Sequence, residues 1–117
     1  MGIIENLEAM RARGQDSALL RYGLGNEYLK RDEHAVAIEH LAEAVRLDPC
    51  YSSAWKLYGK ALQADSRHAE AMDAFDHGIA AANDKGDVQA AKEMQVFRKR
   101  SQKALGALTQ DERSTAK

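Results

Sequence analysis

Apolar residues recur at helical spacing in nearly every stretch of this 117-residue chain, and the pattern predicts helices separated by short polar breaks. Between Ser17 and Arg31 the apolar positions are Leu20, Leu24, Tyr28 and Leu29, with Asp16 or Ser17 available as the N-cap. Ala35 to Leu47 repeats Ala37, Ile38, Leu41, Ala44 and Val45, then meets Asp48-Pro49. Proline disfavours helix at the residue before it, so this element stops there. Ser52 and Ser53 can start a third element carrying Trp55, Tyr58 and Leu62, which turns at Asp65-Ser66. A fourth, from about His68 to Ala82, carries Ala71, Met72, Phe75 and Ile79 and breaks over Asn83 to Gly86. Before these four, Ile3, Ile4, Leu7 and Met10 fit one face of a short helix ending near Gly14. After them, Ala90, Met94, Phe97, Ser101, Ala104 and Leu108 form a heptad-like stripe on a long C-terminal helix.

The middle of the chain echoes itself at a period of 34. Gly25 falls on Gly59, Leu24 on Tyr58, Tyr28 on Leu62, His34 on His68, Ala37 on Ala71 and Leu41 on Phe75. Small residues land on small ones and large apolar residues on large ones, as a structural repeat requires. Gly25 and Gly59 each cost about 1 kcal/mol relative to alanine inside a helix. That cost makes sense where the two helices of a unit cross too closely for a side chain.

On these residues the chain resembles the tetratricopeptide-repeat (TPR) family, whose units are 34-residue helix–turn–helix pairs. The second unit reads Trp55, Tyr58, Gly59, Leu62, Ala71, Phe75 and Gly78, with Asn83 where the family has proline. The first reads Arg21, Leu24, Gly25, Tyr28, Ala37, Leu41, Ala44 and Pro49, with Arg21 in place of the family's tryptophan. The resemblance covers about residues 17–83. It implies an all-α fold, an antiparallel helix-turn-helix superhelix (an α-α solenoid) of about six helices. The expected single domain spans 1–109: an N-terminal helix at 2–13, units at 18–49 and 52–83, and a capping helix at 86–108. Residues 110–117 are expected to be a disordered tail. Two repeats cannot cover their own apolar faces, so the end helices must do so.

Composition adds little beyond helix: alanine is abundant and there is one proline. The net charge of -1 gives no global pull toward nucleic acid or membrane. Charge is unevenly spread, however. Residues 1–84 hold 9 basic against 14 acidic side chains, and residues 85–117 hold 8 against 4. One cysteine, Cys50, precludes an internal disulfide. No apolar run approaches the roughly 20 residues of a membrane helix. The N-terminus lacks the pattern of a signal peptide. Together these point to a cytoplasmic address.

Candidate chemistry is sparse. His34 and His68 are repeat-equivalent, while His40 and His77 are not, and the four make no metal-ligand spacing. They read as exposed or turn-forming residues. Gly23-Leu24-Gly25 lies within a helix, where close packing explains it better than a phosphate loop. Cys50 follows Pro49 in a turn with nothing placed to activate it. With no convergent catalytic set, the chain reads as a non-enzyme without metal or cofactor.

The resemblance also implies where a partner binds. Stacked TPR units present their first helices along a concave groove. On the family pattern the groove-facing residues are Leu19, Tyr22, Gly23, Asn26, Leu29 and Lys30 in the first unit. In the second they are Ser53, Lys56, Leu57, Lys60, Gln63 and Ala64, and the capping helix adds Met94 and Arg98. These cations suit an acidic segment or a chain-terminal carboxylate, and Asn26 can hydrogen-bond an extended peptide backbone. Some family members clamp a terminal carboxylate. Here Asn26 matches one clamp position, but Tyr22 and Leu57 replace the lysine and asparagine of two others. The expected function is therefore capture of a protein or peptide in this groove. The alternatives are homodimerisation through the C-terminal helix and weak nucleic-acid binding through Arg98, Lys99, Arg100 and Lys103.

Overall fold

A computed structural model describes residues 2–115, with side chains described for 2–107. The order is α1 (Ile3–Ala12), α2 (Ala18–Lys30), α3 (His34–Leu47), α4 (Ser52–Ala64), α5 (His68–Asp84) and α6 (Val88–Thr115). The six expected helices are present, and the described residues contain no strand.

Local chemistry sets the boundaries. The Leu20 backbone N–H donates to Ser17 Oγ (3.1 Å), which caps α2. Asp32 and Ser66, one repeat apart, adopt φ of 58° and 60° and close the α2–α3 and α4–α5 turns. Asp87 Oδ1 accepts from the Ala90 N–H (3.0 Å) and starts α6. Serine does not cap α4: its N-cap is Tyr51, and Ser52 is a buried first-turn residue. The α6 backbone stays helical to Thr115, past the expected end at Leu108 and through 110–115 of the stretch expected to be disordered. No proline interrupts that stretch, and Gly106 alone costs too little to end a helix whose neighbours are good formers. Residues 116 and 117, the remainder of the expected tail, lie outside the described residues.

Close helix crossing explains the mid-helix glycines. A Cβ on Gly59 would lie 2.5–2.7 Å from the Phe75 ring. One on Gly25 would overlap Leu41, the residue equivalent to Phe75. Gly78 repeats the arrangement against Met94 of α6, whose Sδ would be 2.5 Å away. The core therefore runs continuously through Leu41, Leu62, Phe75 and Met94, each at most 1% exposed.

The end helices extend the stack in phase with it. Ile4 and Leu7 of α1 precede Ile38 and Leu41 by 34 positions, and α1 packs on Leu20 and Leu24. It thus takes the position of a second helix in the stack, and α6 takes that of a first helix at the other end. The backbones of the first-type helices approach one another, α2 with α4 and α4 with α6, whereas those of α1, α3 and α5 stay farther apart. That asymmetry makes the α2–α4–α6 side concave and opens clefts on the opposite side. From Ala90 to Ser101 the stripe of α6 is spent within the chain; Leu108 lies outside the described side chains. Met94 and Ser101 are fully buried, and Phe97 stacks on Phe75 at 6.0 Å.

Candidate functional site

On the concave side, Tyr22 of α2 and Ser53, Lys56, Leu57 and Lys60 of α4 line one cavity of about 210 Å3. All five stand on the groove list of the sequence pattern. They converge because positions three and four apart share a helix face and because α2 and α4 lie against each other. Tyr22 is held by its neighbour Tyr51, ring centroids 5.1 Å apart. Leu19, one turn earlier on α2, is 70% exposed. Asn26 is half-buried.

The two lysines of the cavity differ electrostatically. Lys56 donates to Glu93 of α6, and this hydrogen bond, helped by Gln89, holds the Glu93 carboxyl below the usual carboxylate range. Lys60 has no ion pair among the described residues; its ammonium lies over the Phe97 ring, 5.1 Å from the centroid. Arg100 lies over the same ring at 5.0 Å. The site is thus a small apolar and hydroxyl-lined hollow with one cation paired to Glu93 and a second that shares the Glu93 charge only at longer range.

Other expected groove residues are engaged elsewhere. Lys30 is exposed and paired with Glu27 at 3.2 Å. Leu29 packs against the core. Gly23 faces α1, where Leu7 Cδ1 would sit 3.3 Å from a Cβ, so it leaves room for a helix and not for a ligand. Gln63 donates to the Phe97 carbonyl (2.7 Å) and to Ser101 Oγ (2.8 Å), which fastens α6 to α4. Met94 is fully buried under Gly78. Arg98 reaches Asp76 of α5 at 2.7 Å, away from the groove.

Met94 and Arg98 follow from carrying the 34-residue period past the second unit, and the period fails there. Helix α5 has 17 residues against 14 in α3. The turn that follows is one residue shorter, so α6 starts 36 residues after α4 where α4 starts 34 after α2, and two residues rotate its faces by about 200°. The α6 residues that meet Lys56 and Lys60 are Glu93 and Phe97, each 37 positions on. Glu93 is the carboxylate that the sequence pattern missed, and the extra length before Gly86 is the signal that could have found it.

The histidines also divide. His34 and His77 stay near Asp32 and Asp73, and His68 Nδ1 lies 3.1 Å from Ser101 Oγ. His40 is not the exposed residue expected: it is 7% exposed and stacks on Tyr28 at 5.5 Å. Its Nδ1 lies 3.2 Å from Arg21 NH1. Since a guanidinium only donates, Nδ1 accepts and the proton sits on Nε2, facing Glu8 Oε1 at 3.7 Å. Burial, and then the Arg21 charge, push the His40 pKa below its ordinary 6.5. Between the two values the unfolded chain binds the proton and the folded chain does not, so acid favours unfolding. Melting temperature should therefore drop as pH falls below about 6.5, and His40→Gln should flatten that slope. An equal slope in both proteins would contradict the assignment.

Cys50 is exposed and free, as expected of a turn residue. No cluster of metal-ligating side chains occurs among the described residues, and no described helix is long and apolar enough to cross a membrane.

Comparison with known proteins agrees with the repeat. No family model matches the chain. A TPR repeat-containing protein of Pseudomonas aeruginosa is 49% identical over 102 residues, spanning 87% of this chain and 97% of that protein. A solution structure of a Bordetella parapertussis protein is 44% identical, with a TM-score of 0.76 over 89% of this chain and 90% of that one. The crystal structure of a tetratricopeptide repeat domain protein from Salinibacter ruber is 28% identical, with a TM-score of 0.68 over 74% and 97%. With the repeat, the paired glycines and a relative matched along nearly its whole length, the chain belongs to the tetratricopeptide-repeat proteins.

Proposed function

We propose that this protein captures an acidic peptide segment of a partner protein in the concave groove between α2 and α4. The repeat fold supports a protein-interaction module in general. What supports the finer reading is Lys60, a cation outside any ion pair among the described residues, in a cavity lined also by Tyr22, Ser53, Lys56 and Leu57. A carboxylate entering there meets Lys60, and can also draw Lys56 away from Glu93. Leu19 offers apolar contact, and Asn26 offers an amide to an extended backbone. Dimerisation through the α6 stripe has less support, because Met94, Phe97 and Ser101 already serve the fold.

The test is calorimetric titration with short peptides carrying glutamate or aspartate beside a leucine, against amide-substituted controls. Lys60→Glu should weaken binding about tenfold or more, as replacing an attractive charge by a repulsive one does. Its melting temperature should stay within about 4 °C, since half-buried Lys60 gives up chiefly a cation–π contact with Phe97, about 0.5–1 kcal/mol. Asn26→Ala should weaken binding less. Equal affinity for the acidic and amide peptides, or an unaffected Lys60→Glu, would refute the proposal.

A further inference from the structure

A cavity of about 310 Å3 lies on the other side of the molecule, in the cleft that α3 and α5 leave open over α4. Trp55 and Tyr58 of α4 line it, their rings 6.1 Å apart and tilted by 44°. The indole is fixed twice: its N–H donates to the Pro49 carbonyl (2.8 Å), and His77 stacks on it at 4.6 Å.

The chain contains the same cleft one repeat earlier, between α1 and α3 over α2, and there it is filled. A shift of 34 puts Arg21 at the place of Trp55, Glu8 at that of Ala42 and His40 at that of Ala74. The Arg21 guanidinium occupies that cleft with its side chain only 17% exposed. It donates to both Asp16 oxygens (2.8 and 2.9 Å) and lies 3.2 Å from the His40 ring nitrogen. Glu8 and Glu43 add electrostatic attraction. The first cleft thus holds a guanidinium between carboxylates and an aromatic ring.

In the second cleft, Ala42 and Ala74 leave vacant the volume that Glu8 and His40 fill in the first. Carboxylates remain at its edge. Glu70 is engaged by Arg67, but Asp73 has an 80% exposed side chain and touches only His77, at 3.9 Å. Arg46, the one cation lining the cavity, is neutralised by Glu43.

We propose that the α3–α5 cleft is a second binding site, which takes an arginine side chain presented by a basic segment of a partner protein. The guanidinium plane packs against the Trp55 and Tyr58 rings while its N–H groups reach Asp73. Arginine fits better than lysine because a flat, weakly hydrated cation can stack and donate in a fork at once. The site is independent of the concave groove, which selects the opposite charge.

Trp55 is the sole tryptophan, so its emission reports on this cleft alone. The probe is a capped glycine-arginine-glycine peptide at low ionic strength. A saturable change in emission is expected, at least about tenfold weaker when citrulline replaces arginine, since citrulline keeps the shape and loses the charge. Asp73→Lys should weaken the response to a similar degree with unaltered helical circular dichroism, and Lys60→Glu should leave it intact. A flat titration, equal binding of the citrulline peptide, or an undiminished response in Asp73→Lys overturns the proposal. An emission change on concentrating the protein alone, lost in Asp73→Lys, overturns it in favour of a second copy.

Discussion

Phe75→Ala should destabilise the protein by about 3–5 kcal/mol, the range for deleting a buried aromatic ring. Phe75 is fully buried and enters the space that Gly59 leaves open, with Phe97 stacked behind it. Removing it opens a void between α4 and α5 that neither helix can close, because Gly59 supplies no atoms to fill it. At about 4 °C per kcal/mol for a chain of this size, the melting temperature should fall on the order of 15 °C. Phe75→Leu should cost far less, no more than about 1.5 kcal/mol, as volume-conserving swaps do. The molecule carries the precedent: Leu41 packs on Gly25 in the first unit as Phe75 packs on Gly59 in the second. Urea melts of the two variants check the pair. A loss below about 1 kcal/mol for the alanine variant would mean that the helices do not approach as described.

Ending the chain after Gly86, which removes α6, should abolish cooperative unfolding altogether. Helix α6 seals α5 with Ala91 and Met94, 3% and 0% exposed, and backs Phe75 with Phe97. Without it Gly78, Phe75 and Ala82 lose their cover, and the last repeat has no neighbour to complete its core. The expected readouts are a broad thermal transition and binding of a hydrophobic dye at neutral pH. Met94→Asp tests the same interface in the full chain. A carboxylate with no partner at a fully buried position should cost several kcal/mol. A sharp, two-state melt of the shortened chain would show that α6 is dispensable.

The repeat core was legible in the sequence because its constraints are local and duplicated. Gly25 and Gly59 are costly in a helix and recur at one period, so packing is their economical explanation, and Leu41 and Phe75 bear it out. Ser17 and Pro49 act through their own backbone neighbourhood and could be read directly. Of the expected groove, Tyr22, Ser53, Lys56, Leu57 and Lys60 come together around one cavity, while Gln63, Met94 and Arg98 are engaged elsewhere. What escaped depends on phase between elements. The two-residue delay in the start of α6 turned Met94 inward and Arg98 toward Asp76, and brought Glu93 to Lys56. His40 escaped for another reason: its burial comes from α1 and Arg21, and the departure from the family's tryptophan at that position was the visible trace of it.

The half-unit phase of the ends, with α1 acting as a second helix and α6 as a first, has a consequence for how such a protein can change length. Helices α1 and α6 pack on the two units from outside, while the interface between α3 and α4 joins two like units. A duplicated 34-residue block inserted at the Pro49 turn would meet the same kind of surface on each side and disturb neither α1 nor α6. Each insertion would lengthen the concave surface by about 8–10 Å, one interaxial spacing. It would also add one more outer cleft, whose occupancy would depend on whether arginine or tryptophan stands at its centre. Such a lineage can grow from the middle while keeping its ends, and it can choose at each added cleft between filling it from within and leaving it for a partner.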